Sequence, residues 1–164
     1  MVFCSVVFLF RFLPVFLLCY YAAPGRMKNV ILLAGSLFFY AWGEPRYVLL
    51  MLFSIFVDYA HGILIEKYRG TGWERVFLLS SVCINLLLLG VFKYTGLLPL
   101  PIGISFYTFQ TMSYTIDVYR REVRAQRNLL DFAVFVTMFP QLIAGPIVKY
   151  REVEERLRRR TVSV

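Results

Sequence analysis

The chain alternates long apolar runs with short polar clusters. Apolar stretches cover 2–22, 29–43, 47–65, 73–92, 101–119 and 129–148, and Arg, Lys, Glu, Gly and Pro gather between them. A membrane-spanning helix needs about 20 mainly apolar residues. The pattern therefore predicts an all-α, polytopic transmembrane bundle of five spans, with a sixth run, 129–148, that differs from the rest. Pro140 and the Gly145–Pro146 pair, with Gln141 beside them, interrupt it. Proline removes a backbone donor and clashes with the preceding turn, so 129–148 is expected to form a broken or re-entrant helix. Pro14 is expected to kink the first span, and Gly43–Arg46 (GEPR) to form a tight turn.

Charge sets the orientation. The first run has no basic residue ahead of it, and Arg26 and Lys28 follow it. That order favours a retained span with its N-terminus outside over a cleaved signal. Loops 23–28, 66–75 and 117–128 then lie in the cytoplasm, and each is net positive. A re-entrant 129–148 would return the basic tail, 149–164, to the same side.

Composition narrows the class. The 164 residues are 59% hydrophobic and 17% charged, with a net charge of +8, whereas a soluble domain carries about 25% charged residues. The basic excess flanks the spans, so it reads as topology and contact with membrane lipid. No soluble domain remains to bind nucleic acid. Cys4, Cys19 and Cys83 are scattered in apolar context without metal-ligand spacing and read as small hydrophobes.

Two features carry candidate chemistry. In the helix over 101–119, Gly103, Tyr107, Gln110, Tyr114 and Asp117 recur at steps of four and three and share one face. Such a stripe either joins helices by hydrogen bonds or lines a wet path for a polar substrate. In the third span Asp58 and His61 lie three residues apart, which suits a proton relay or a local packing pair. Without a nucleophile the pair does not identify a reaction. Arg11 near mid-span is expected to face protein or water. These intramembrane charges also admit a small transporter, but no inverted repeat supports one. No catalytic or metal site follows from the residues alone.

The segments FLPVFLLCYYAAP, KNVILLAGSLFFYAWGEPRY, SIFVDYAHGILIEK, LPIGISFYTFQTMSYTIDVYRREV and FPQLIAGPIVKY, in this order, resemble the N-terminal part of the membrane-bound O-acyltransferases, the alginate O-acetyltransferase branch above all. The resemblance covers essentially the whole chain. It implies an inner-membrane enzyme that moves an acyl group from a cytoplasmic donor, acetyl-CoA or an acyl carrier, to hydroxyls of an exported polysaccharide, with periplasmic or extracellular acetylation partners. On that picture the stripe from Gly103 to Asp117 lines the substrate path, and Pro140, Gln141, Gly145 and Pro146 mark a broken helix at its floor. The resemblance also implies a catalytic histidine in a segment beyond Val164. His61, in a segment that does not match, does not inherit that role. The chain is thus expected to be an N-terminal fragment, inactive alone. A non-catalytic module that scaffolds a partner or completes an enzyme in trans is the alternative.

Overall fold

A computed structural model describes residues 6–25, 27–43, 45–96, 103–138 and 150. Among these there is no strand, and each of the first five apolar runs forms a helix: α1 (Leu13–Ala22), α2 (Met27–Gly43), α3 (Val48–Lys67), α4 (Gly72–Tyr94) and α5 (Ile104–Tyr119). A shorter α6 (Leu129–Thr137) opens the sixth run. Pro45–Lys67 and Gly72–Tyr94 are long and apolar enough to cross a membrane; Phe10–Ala22 is a shorter apolar helix.

Local chemistry explains the boundaries. Pro14 stands in the first turn of α1, and a π-helical turn, Phe8–Phe12, precedes it. Leu13 N–H donates to Phe8 O, five residues back. The wider turn makes room next to a residue that has no N–H to give. Pro45–Tyr47 forms a single 3₁₀ turn between α2 and α3. Between α3 and α4, Gly70 takes φ 81°, a left-handed conformation open to glycine. There the Glu74 carboxylate accepts from Gly70 N–H at 3.0 Å, and Thr71 Oγ1 donates to Tyr68 O at 2.6 Å. An acidic group reaching back over the first turn of α4 satisfies a donor that the helix cannot. Gly103, at φ 79°, starts α5, and Asn128 caps α6 by accepting from Leu130 N–H at 3.1 Å.

Helix α3 lies at the centre, packed on α4 and α5; α4 also packs on α5, and α6 bridges α2 and α3. The main core contains Met51, Ile55, Ile65, Leu89, Ile104, Tyr107, Tyr114, Val118, Phe132 and Phe135. A second cluster is aromatic: Phe8 and Phe39, with Phe12, Leu13 and Phe16 against them, join α1 to α2. Outside, Leu49, Phe53, Phe56, Leu79 and Leu87 are exposed. Apolar side chains over so much of the surface suit hydrocarbon rather than water.

The close crossing of α3 and α5 depends on one residue. A Cβ on Gly62 would lie 2.8 Å from both Cε1 and Oη of Tyr114. Only the missing side chain lets that ring seat, with Phe132 at 4.6 Å and Tyr150 at 4.9 Å between centroids.

Candidate functional site

The polar residues of the bundle interior converge where α3, α4 and α5 meet. Asp58 is fully buried there. Its Oδ1 accepts from Ser81 Oγ at 2.6 Å and from Asn85 Nδ2 at 2.8 Å, and its Oδ2 accepts from the same Nδ2 at 2.9 Å. Asn85 Nδ2 also donates to Ser81 O at 3.0 Å, so the two amide protons have a carboxylate and a carbonyl as acceptors. That fixes the orientation of the amide. Ser81 has one hydroxyl proton, and the short bond to Asp58 claims it; Thr115 Oγ1, 3.4 Å from Ser81 Oγ, donates instead to Met112 O at 2.9 Å. Thr111 adds a further hydroxyl beside the carboxylate. Every group around Asp58 named here is a donor or neutral, so the carboxylate works as the acceptor that ties α3 to α4, while Thr111 Oγ1 on α5 donates to its own backbone at Thr108 O, 3.1 Å away.

His61 does not pair with Asp58. Its Nδ1 lies 2.7 Å from Val57 O and its Nε2 3.3 Å from Ser80 Oγ. A carbonyl can only accept, so Nδ1 carries the proton and Nε2 is left to accept from Ser80. The two residues that the sequence places on one face both bond across to α4, but to different partners.

The stripe on α5 is buried at Tyr107, Gln110, Tyr114 and Asp117, with Gly103 at its start. Gln110 Nε2 donates to Phe135 O at 2.9 Å, tying α5 to α6. Tyr114 Oη accepts from Gln126 N–H at 2.8 Å, and Asp117 O accepts from Glu122 N–H at 3.0 Å, so both hold the connection leading to α6. Tyr59 Oη on α3 donates to Arg127 O at 2.7 Å in the same connection. Pro140, Gln141, Gly145 and Pro146 lie outside the described residues.

Sequence reading singled out Asp58 but missed Ser81 and Asn85, its partners. The signal was present as spacing: Ser81 and Asn85 stand at i and i+4 in a mostly apolar run, and Thr111 and Thr115 repeat that step on α5. A polar pocket of about 460 Å³ lies at the α3–α4 turn, lined by Gly70, Thr71, Gly72, Glu74, Arg75, Tyr119 and Arg121. Among the described residues no group of three His, Cys, Asp or Glu is placed to hold a metal.

Comparison with known proteins gives the geometry its context. The chain is 41% identical over its whole length to the probable alginate O-acetylase AlgI of Pseudomonas aeruginosa, of which it spans 36%. It is 41% identical over 98% of its length to the protein of the same name from Azotobacter vinelandii, spanning 37% of it. A peptidoglycan O-acetyltransferase of Helicobacter pylori is 31% identical over 93% of the chain, which spans 38% of that protein. The chain thus spans little more than a third of the length of the curated relatives it matches. No family model matches, and no solved structure matches.

Proposed function

Because the chain belongs to the family of the alginate O-acetylases, we propose that it is part of an inner-membrane O-acyltransferase that acetylates hydroxyls of an exported polysaccharide of the alginate type. The whole-length identity to those relatives carries this reading. The donor on this reading is acetyl-CoA or an acyl carrier reaching the cytoplasmic face, and periplasmic or extracellular acetylation partners act with the enzyme.

Within that reading the described helices have a framing role. A general base must reach the acceptor hydroxyl, and His61 keeps its Nδ1 proton on its own helix backbone. The Asp58 cluster holds α3 and α4 at fixed register, with α5 packed against both. The α5 stripe, Gly103, Tyr107, Gln110, Tyr114 and Asp117, then forms one wall of the substrate path, with Gln110 and Tyr114 anchoring α6 against it. Pro140, Gln141, Gly145 and Pro146 are assigned to the break in the helix beneath that path.

The test is acetyl transfer to polymannuronate by membranes carrying the whole gene product, compared with membranes in which Gln110 is changed to Leu. Loss of acetyl incorporation at normal protein level supports the wall assignment. A whole gene product that acetylates no glycan overturns the reading. The alternative reading is that this portion completes an enzyme in trans. An antibody to loop 66–75 separates the two: a native band near 19.2 kDa supports assembly in trans, and one about three times larger supports a single polypeptide.

A further inference from the structure

The α1–α2 hairpin carries a cation that neither the core nor the α5 stripe uses. Arg11 is exposed, sits in the π-helical turn Phe8–Phe12, and has no hydrogen bond or ion pair among the described residues. It opens into a cleft of about 790 Å³ whose other walls are apolar, Val15, Phe16, Ala34 and Phe38 among them. Among the described residues no acidic one lines the cleft. A guanidinium held against a hydrocarbon-facing groove is costly unless an anion meets it.

The groove has a direction. Phe8 packs on Phe39 at 5.3 Å, Phe12 on Phe38 at 6.0 Å, and Phe16 against Gly35, so α1 and α2 run antiparallel. Val7 and Trp42 therefore mark one end and Cys19 and Ile31 the other. Twelve residues of helix rise about 18 Å, close to the ~15 Å half-thickness of a bilayer's hydrocarbon. Trp42 is exposed at the mouth, and tryptophan favours the headgroup level. Arg11 lies about 6 Å below Val7 along the helix, a distance its side chain can cover by snorkelling.

We propose that the α1–α2 groove is the seat of one anionic phospholipid. Its phosphate rests on Arg11 beneath Trp42, and one acyl chain runs past Val15 and Ala34 toward Cys19. The charge balance selects the anionic class: the groove supplies a cation for the phosphate and, among its described residues, no carboxylate for the ammonium of a zwitterionic lipid. The inference is independent of the acyltransferase reading.

The experiment is native mass spectrometry of the protein extracted from its own membranes into nanodiscs of phosphatidylglycerol and phosphatidylethanolamine. The wild type should retain one phosphatidylglycerol in preference to phosphatidylethanolamine. Arg11→Gln should lower phosphatidylglycerol retention about five-fold, leaving phosphatidylethanolamine unchanged, and Arg11→Lys should keep most of it. Ala34→Phe leaves Arg11 in place but fills the groove, and should lose the retained lipid; it also decides the matter if Arg11→Gln fails to fold. Equal retention by wild type, Arg11→Gln and Ala34→Phe overturns the proposal. So does a photo-crosslinker on Cys19, in a Cys4→Ser, Cys83→Ser background, that captures a polypeptide instead of lipid.

Discussion

The α3–α4–α5 bundle and the α1–α2 hairpin are both cut from apolar runs, yet different forces hold them. In the bundle a buried carboxylate accepts from Ser81 and Asn85 across a helix boundary, and α5 supplies more hydroxyls to the same point. In the hairpin α1 buries no residue of its own and is held by ring packing of Phe8 and Phe12 on Phe38 and Phe39, with Phe16 seated against Gly35. Within a membrane, apolar side chains gain little by leaving lipid for one another, so hydrogen bonds and close packing decide which helices stay together. The polar bundle is therefore the fixed frame, and the hairpin is the adaptable edge.

That contrast fixes the order in which substitutions should hurt. Asp58→Ala strips the carboxylate acceptor from Ser81 and Asn85 at once and leaves the buried amide only Ser81 O to donate to. It should cost about 2–4 kcal/mol, read as a lowered unfolding midpoint in detergent. Arg11→Gln, on the hairpin surface, should stay within about 0.5 kcal/mol in the same assay. Equal losses from the two would abolish the distinction between frame and edge.

Gly62→Ala comes next. The added methyl would stand 2.8 Å from the Tyr114 ring, and that ring cannot retreat because Phe132 and Tyr150 back it. Overpacking of this kind costs about 1–3 kcal/mol. The same midpoint measurement checks it, and a change near zero would mean that α3 and α5 part easily. A smaller loss, about 1 kcal/mol, is expected for Tyr114→Phe, which keeps the ring but leaves Gln126 N–H without its acceptor. Here the sharper readout is faster amide exchange at Gln126, with the α4 amides unaffected.

These residues also show what the sequence could and could not reveal. The helices were legible because length and apolarity fix them; α3 and α4 begin and end within two residues of the predicted runs. The α5 stripe was legible because five polar or small positions share a face. Ser81 and Asn85 escaped notice because a few polar residues barely alter a run that is mostly Leu, Ile, Val and Phe. Their meaning depends on Asp58, on another helix 23 and 27 positions away. The separation of Asp58 from His61 was equally invisible, since spacing gives the shared face but not the neighbour each side chain meets. The break expected in 129–148 falls outside the described residues, which within that run reach only Met138, just past the end of α6.

His61→Gln should have the smallest effect of all, and for an informative reason. Val57 O already accepts the helical N–H of its own turn, and its second lone pair takes His61 Nδ1–H at 2.7 Å. The ring is thereby held in one tautomer, with Nε2 turned to Ser80. A glutamine amide can reproduce one of these contacts from the half-buried position, so stability should fall by no more than about 0.5 kcal/mol. If His61 only packs α3 on α4, acetyl transfer by the whole gene product should change by less than about two-fold, against the roughly 10²–10⁴-fold that removal of a general base produces. A well-folded His61→Gln enzyme with transfer reduced a hundred-fold would move the reaction into this part of the chain. The bundle would then be part of the catalytic machinery rather than its frame.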